Sequence, residues 1–324
     1  MTMLNGKAKS IQGLKILPVI ALLVAIPFAL NNYWMSLAVS GALLALAAMP
    51  LTVLTGTAGL LSLGQAAFLG IGGYTAGLLA HQFGIGLTVS LFAAAFIGLV
   101  VGLVVALATL RVIGLYLAIG TFALQFILQP LMQNMDVSLT QSTGFILSAP
   151  QLFGIPLNSM LRWWYALLLI GTLIFAWLRW LQITQIGRNW VMLRDNPTAA
   201  GVLGISREKA RLGIFATTSA ITAAVGALGA YYYGNAQSGA YSLHIAILFL
   251  SIVALGGPGS LGGSVIAAFI MITLSPIIEK LISLGNWLDV TRIGGLETIA
   301  VGLILMASLI VRARLAQRRH DHGE

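Results

Sequence analysis

Apolar runs of about twenty residues recur along the whole chain, and they limit its possible folds more than any other feature. A helix needs about 20 apolar residues to cross a hydrocarbon core about 30 Å thick. The runs at 15–32 and 241–256 are short or interrupted by proline, so either could be a half-span. The sequence therefore predicts an all-α, polytopic membrane protein with about ten transmembrane helices, including broken or re-entrant segments. The runs cover residues 15–32, 34–54, 58–80, 87–110, 113–133, 161–181, 212–233, 241–256, 262–284 and 294–311.

Composition agrees with a chain that lies mostly in lipid. Of its 324 residues 59% are hydrophobic and 8% are charged, and the mean hydropathy is +0.97. A soluble surface needs roughly a quarter to a third of charged residues. The absence of cysteine excludes disulfides, thiol catalysis and cysteine-zinc sites. We interpret residues 1–324 as a single transmembrane domain.

The basic residues predict the orientation. With a cytoplasmic N-terminus, alternation of the spans leaves only Arg162, Lys280 and Arg292 of the 17 basic residues outside. This is a strong positive-inside bias, so we predict cytoplasmic N- and C-termini. The net charge of +9 then needs no nucleic acid to explain it. The N-terminal segment could also be a signal peptide, but "PFALNNYW" offers no convincing cleavage site, which favours an uncleaved span.

A glycine-rich stretch from 256 to 263 contains the spacing G-x-G-x-x-G, with Glu279 about twenty residues later. A dinucleotide-binding turn needs a βαβ unit in water, whereas both flanks here have membrane length. We interpret the stretch as a tight re-entry between two spans, broken by Pro258. Irregular backbone at membrane depth is either buried in protein or lines a polar cavity, which suggests a translocation path. The candidate path residues here are Gly256, Gly257, Gly259 and Ser260.

A second glycine-rich stretch, "GLLSLGQAAFLGIGGYTAGLLA", covers residues 59–80. Its small residues allow close helix packing, which physical reasoning alone favours, or leave room for a solute. Ser62-Leu63-Gly64 recurs as Ser260-Leu261-Gly262, which hints at two related half-sites. Gly98 and Gly102 form a separate G-x-x-x-G that we interpret as packing. The candidate path residues in the stretch are Ser62, Gly64, Gln65, Phe68, Gly72 and Tyr74.

The long connection at about 182–211 shows the pattern of a short helix. Asn196 suits the N-cap, Pro197 the first helical position and Gly204 the stop. Val202, Leu203 and Ile205 are apolar for a cytoplasmic loop. Either a partner covers them or the loop is an interfacial amphipathic segment.

Thr198-Ala199-Ala200-x-x-x-Gly204 looks like the Glu-Ala-Ala-x-x-x-Gly loop by which permeases of ABC importers dock onto their ATP-binding subunits. Together with both glycine-rich stretches, in the same order, it resembles the branched-chain amino acid permease family of the LivM type, over roughly 35–312. Thr198 replaces the family's glutamate, and Gly73 stands where the family often has alanine. The docking candidates are Gly187, Arg188, Arg194, Asp195, Asn196, Thr198, Ala199, Ala200 and Gly204.

The resemblance implies a multi-pass subunit of the bacterial inner membrane that forms half of a translocation path for branched-chain or other hydrophobic amino acids. It implies four kinds of neighbour: a second related permease, two cytoplasmic ATP-binding subunits, an extracytoplasmic solute-binding protein and membrane lipid. The chain has no G-x-x-x-x-G-K-[ST] motif, so the resemblance implies a non-catalytic subunit without a cofactor.

Other transport functions stay open from the sequence. They include an ABC permease for urea, short amides or aromatic acids, an ion-coupled secondary transporter, and a channel or scaffold. Two acids fall within predicted spans: Glu297 near the outer end of the last span, and Glu279 beside Lys280, a pair that could neutralise itself. We place Asp136 in an outside loop, at 136–159, that either meets a solute-binding protein or simply connects two spans.

Overall fold

The computed structural model describes residues 27, 30–110, 112, 114–141, 144–285, 302 and 306. Helices make up most of this part of the chain. The predicted spans at 15–32 and 294–311 lie almost wholly outside the described residues, and so do the side chains of Glu279 and Lys280. The helices are α1 (Asn32–Ala58), α2 (Gln65–Phe83), α3 (Leu87–Ala108), α4 (Leu115–Thr140), α5 (Met160–Ile183), α6 (Gln185–Asp195), α7 (Pro197–Val202), α8 (Arg207–Tyr233), α9 (Leu243–Gly256) and α10 (Leu261–Gly285), with a 3₁₀ turn at Ser238–Tyr241.

Five helical segments are long and apolar enough to cross a membrane: α1, α3, α5, α8 and Ser238–Gly256. The polytopic helical membrane protein predicted from the sequence is thereby confirmed, and the count of ten spans stays a prediction. Helix α9 alone has 14 residues, or about 21 Å at 1.5 Å per residue. It is shorter than the hydrocarbon core, as expected for a half-span.

The all-α prediction needs one correction, because two short antiparallel ladders lie between the helices. Strand β1 (Phe145–Ile146) pairs with β4 (Asn235–Ala236), and β2 (Gln151–Leu152) pairs with β3 (Ile155–Pro156). Backbone N–H and C=O groups outside helices need partners, and these ladders supply some of them. The first ladder joins the α4–α5 connection to the α8–α9 connection.

The ends of the described long helices gather in two regions, here named the α6–α7 end and the hairpin end. At the α6–α7 end (residues 184–206), the Trp190 indole donates to the carbonyl of Ala210 at 3.1 Å. At the hairpin end (residues 144–159), the Thr88 hydroxyl donates to the carbonyl of Gln151 at 3.3 Å. Successive long helices alternate between these ends, as the sequence predicts. Which end faces the cytoplasm stays a prediction.

Helices α1 and α8 form the centre of the bundle. Their most apolar windows are 72% and 61% buried, against 28% for α3 and 22% for α5. Helices α3 and α5 are therefore the surfaces suited to lipid. Gly98 and Gly102 bring α3 onto α8, where an ideal Cβ on Gly102 would lie 2.7 Å from Ser219 Cβ. The packing interpretation of this pair is confirmed.

Helices α2 and α8 approach each other backbone to backbone. An ideal Cβ on Gly72 would lie 2.5 Å from the carbonyl carbon of Ala223, and one on Gly226 would lie 2.8 Å from the carbonyl carbon of Leu69. Real Cβ atoms essentially never come within 3.0 Å of such neighbours. The α2–α8 contact thus requires glycine on both helices.

Candidate functional site

The α6–α7 end contains the short helix that the sequence predicts. The side chain of Asn196 accepts a hydrogen bond from the Ala199 N–H at 3.0 Å, and Pro197 begins α7. Gly204 follows with φ of +75°, a left-handed conformation that favours glycine. The predicted start and stop are confirmed.

Helix α6 was not predicted from the sequence. Ile186, Trp190 and Leu193 recur at spacings of four and three residues, an amphipathic pattern that would have predicted it. The helix begins against the end of α5, where an ideal Cβ on Gly187 would lie 2.5 Å from the Gln182 carbonyl oxygen. Arg188 reinforces this junction by donating to the Ile183 carbonyl at 3.0 Å.

Arg194 ties α6 to the membrane helices. Its Nη1 donates to the carbonyl of Gly56 near the end of α1. Its Nε pairs with Asp195 at 2.8 Å, and this hydrogen bond lowers the pKa of Asp195. The carboxylate is therefore ionised at neutral pH, and Arg194 links α6 to α1.

An exposed apolar surface lies at the end of α7. Val202 is 85% exposed and Leu203 65%, whereas Ala200 is fully buried. Thr198, where the family's glutamate would stand, is also exposed. A groove of about 930 Å³ opens beside this surface, between α6 and the start of α8. The segment thus presents apolar groups and a concave surface outside the helical bundle.

The Gly-Pro turn lies directly against α1. Gly257 and Gly259 have φ of +98° and +83°, and the Gly259 N–H donates to the Thr52 carbonyl at 3.0 Å. The Gln182 amide donates to the Gly259 carbonyl at 3.0 Å. An ideal Cβ on Gly56 would overlap the Gly259 backbone. Gly56 therefore contacts the turn while its carbonyl accepts from Arg194.

The other predicted residues around this turn lie in close packing. Gly256 packs on Gly263, since an ideal Cβ on Gly256 would lie 2.5 Å from the Gly263 carbonyl carbon. Ser260 accepts a hydrogen bond from the Gly263 N–H at 3.1 Å. The turn is only partly buried, because Gly257 is buried whereas Pro258 and Ser260 are exposed. Its place in a path stays a prediction.

The candidates around the start of α2 are buried between helices. Ser62 accepts from the Gly64 N–H at 3.4 Å, and an ideal Cβ on Gly64 would lie 2.7 Å from the Thr121 carbonyl oxygen. Phe68 is fully buried, and Gln65 is 2% exposed with its Nε2 unpartnered among the described residues. These contacts favour helix packing as the reason for the small residues.

A cavity of about 510 Å³ lies between α1, α2, α8, α9 and α10. Its wall is largely apolar, with polar groups from Ser40, Tyr233, Asn235 and Gln237. All ten candidate path residues are described, and this cavity is lined by other residues. Sequence reasoning missed it because its polar groups come from separate segments and form no local motif.

Asp136 is not in a loop, contrary to expectation. It lies in α4 and is 6% exposed. The Tyr74 hydroxyl donates to its Oδ1 at 2.6 Å, and the Ser238 N–H donates to its Oδ2 at 3.0 Å. These two donors, distant in sequence, make burial of the carboxyl tolerable. In the described part of the chain, no three His, Asp or Glu side chains come together in a way that could bind a metal ion.

Gly73 makes room for Tyr241, whose ring also packs edge-on against Tyr74. An ideal Cβ on Gly73 would overlap the Tyr241 hydroxyl and lie 2.6 Å from its Cζ. We expect Gly73→Ala to cost about 1–3 kcal/mol through overpacking. Tyr241→Phe should recover part of this cost, giving a coupling above about 0.5 kcal/mol in a double-mutant cycle of thermal or denaturant unfolding. If the free-energy costs of the two substitutions are strictly additive, the contact between residues 73 and 241 is contradicted.

Comparison with known proteins identifies the family. Residues 16–312 match the family model described as "Branched-chain amino acid transport system / permease component". The chain belongs to this permease family. The membership predicted from the two glycine-rich stretches and the docking pattern is confirmed.

The permease is similar to the high-affinity branched-chain amino acid transport system permease protein LivM of Escherichia coli K12, at 27% identity over 88% of this chain and 72% of the relative. It is 27% identical to LivM of Salmonella typhimurium, over 96% of this chain and 79% of the relative. It is also 29% identical to the autoinducer 2 import system permease protein LsrC of Escherichia coli SMS-3-5, over 52% of this chain and 46% of the relative. No solved structure matches the permease at a significant level.

Proposed function

We propose that this permease is the non-catalytic membrane subunit of an ATP-driven importer for branched-chain or other hydrophobic amino acids in a bacterial inner membrane. Family membership and the LivM relatives support the transport role. The observation that carries the assignment is the α6–α7 end, which presents exposed Val202 and Leu203 on a segment fixed to α1 and α8. Such a surface suits a protein partner.

Four kinds of partner follow from this proposal. The complex contains two cytoplasmic ATP-binding subunits, and docking on this chain uses the candidate residues of the 182–211 loop at the α6–α7 end. A second, related permease completes the path. A solute-binding protein contacts the hairpin end, where Ile146, Phe153 and Ile155 are 61–73% exposed. Lipid surrounds α3 and α5.

Motion of the docked segment would reach the membrane helices through Gly56. When the ATP-binding subunits close, α6 moves, and Arg194 transmits the displacement to the end of α1. Gly56 touches the Gly-Pro turn, so α9 and α10 shift with it. Rigid-body rocking of packed helices about such a contact is a common way to alternate access.

The 510 Å³ cavity is a candidate place for a solute. Its lining holds apolar side chains for an apolar solute, and hydroxyl and amide groups that can hydrogen-bond a zwitterion. Strong selectivity need not reside here, because the external binding protein can provide it. The ten candidate path residues would then act by packing the helices around the cavity or by lining a path shared with the second permease.

The docking proposal is tested at Val202. Val202→Asp places a charge in a surface that the ATP-binding subunits should desolvate, so we expect about a tenfold loss of copurified ATPase and of ATP-dependent uptake. Val202→Leu keeps the apolar surface and serves as the matched control. Wild-type copurification and uptake by the Asp variant would refute docking at this surface.

The buried carboxyl of Asp136 favours a second candidate function, an ion-coupled carrier. Both of its oxygens already accept hydrogen bonds, which suits a structural role as well. Proteoliposomes containing this chain alone separate the two functions. Solute uptake driven by an ion gradient without ATP would favour the carrier, whereas uptake only with the ATP-binding subunits supports the importer.

A further inference from the structure

A smaller cavity of about 210 Å³ also lies at the α6–α7 end, next to the groove beside α7, and Trp190 and Ala210 line both. It is enclosed by the end of α1, Gly114 before α4, helix α6 and the first turns of α8. Three arginines line it: Arg194, Arg207 and Arg211. The charge of Arg194 is balanced by Asp195. This pairing leaves the charges of Arg207 and Arg211 to be explained.

Arg211 is nearly fully buried, at 5% exposure. Its Nη1 donates to three backbone carbonyls at the end of α3 and just beyond, those of Thr109, Leu110 and Val112, at 2.7–2.8 Å. These acceptors carry no net charge. Its Nε and Nη2 make no hydrogen bond to a described residue. Among the described residues no acid lies beside this buried guanidinium, and burial of such a charge is costly unless a counter-charge is present.

Arg207 lies one helical turn before Arg211, on the same face of α8. Like charges at positions i and i+4 repel each other. Within the described ranges Arg207 has no ion pair, and the neighbouring Glu208 pairs with neither arginine. Two guanidinium groups therefore line one cavity, and no carboxylate of the described residues pairs with them.

We propose that this cavity binds a phosphate-type anion, either the headgroup of an anionic phospholipid or a free phosphate group. Guanidinium groups present forked donors that match phosphate oxygens and remain charged at all physiological pH values. The cavity lies at the end of α1 and the start of α8, two helices long and apolar enough to cross a membrane, and basic pockets at the membrane surface suit anionic headgroups. Its size excludes a bulky ligand but accommodates a phosphate.

The test uses the full-length chain, delipidated in detergent, and follows its thermal unfolding. The probes are dioctanoyl-phosphatidylglycerol, dioctanoyl-phosphatidylcholine and inorganic phosphate. We expect saturable stabilisation by an anionic probe and little by phosphatidylcholine. Arg207→Gln should weaken the apparent affinity about tenfold through loss of a charge-assisted contact. Lys209→Gln removes the same charge from the same turn but not from the cavity lining, and should bind as the wild type does.

The probes also identify the source of the anion. Stabilisation by phosphatidylglycerol alone indicates a lipid headgroup, and equal stabilisation by inorganic phosphate indicates a free anion. Arg207→Lys keeps the positive charge but loses the forked donors of the guanidinium, so this variant should bind the anionic probe a few-fold more weakly than the wild type. It also provides a folded variant for the test if Arg207→Gln does not fold. No stabilisation by either anionic probe, equal stabilisation by phosphatidylcholine, or undiminished binding by the Arg207 variants would overturn the proposal.

Discussion

Gly72→Val is expected to destabilise the protein by about 3 kcal/mol or more, lowering its melting temperature by roughly 5–10 °C. The physical reason is the backbone contact between α2 and α8. A Cβ on residue 72 already overlaps the peptide unit of Ala223, and backbone atoms cannot rotate away as a flexible side chain can. The two helices must separate, and the contact of Gly226 with Leu69 is then lost as well. Thermal unfolding in detergent measures the effect.

Gly229→Val is the matched control, since it makes the same exchange on α8, the helix against which Gly72 packs. An ideal Cβ on Gly229 meets nothing within 4 Å, and the residue lines the 510 Å³ cavity. We expect its stability to stay within about 1 kcal/mol of the wild type. Equal losses in the two variants would show that valine's helix propensity, and not the α2–α8 contact, sets the cost.

Arg194→Gln is expected to separate ATP hydrolysis from transport. Rates of uptake should fall about tenfold, the size expected for loss of one charged hydrogen bond to the Gly56 carbonyl. If docking depends mainly on the exposed surface at Val202 and Leu203, which is retained, hydrolysis by the assembled complex should change less than about twofold. Parallel assays of ATP turnover and uptake in the same proteoliposomes give both numbers.

Arg188→Gln provides the comparison for Arg194. Arg188 lies on the same helix and bonds to the end of α5, with no described contact to Gly56 or the Gly-Pro turn. It should leave the ratio of transported solute to hydrolysed ATP unchanged. If both variants lower this ratio equally, the connection through Gly56 is not the one that transmits motion. If Arg194→Gln loses hydrolysis and uptake together, Arg194 serves docking and not transmission.

The helices could be predicted from the sequence because each apolar run carries its own signal. The start and stop of α7 could also be predicted, since Asn196, Pro197 and Gly204 act on the backbone beside them. These are local effects of side-chain hydrogen bonding and allowed dihedral angles. Nothing about them depends on where the rest of the chain lies.

The features that were missed depend on contacts between distant segments. Asp136 looked like a loop residue because its partner Tyr74 is 62 positions away. Arg211 looked like one more cytoplasmic charge, and its carbonyl partners are about a hundred positions away. Gly64 packs against Thr121 and Gly259 against Gly56, contacts that the sequence does not reveal, while the role of these stretches in a path stays a prediction. Pairings of this kind need the folded topology before they can be recognised.

The ladder between β1 and β4 connects two loops that lie about ninety positions apart in the sequence. It is only two residues long on each side, and an individual hydrogen bond contributes about 0.5–1.5 kcal/mol net. A docking protein could therefore separate the two loops with modest binding energy. Separation of the loops would break only the backbone hydrogen bonds of this ladder and would leave the helices intact.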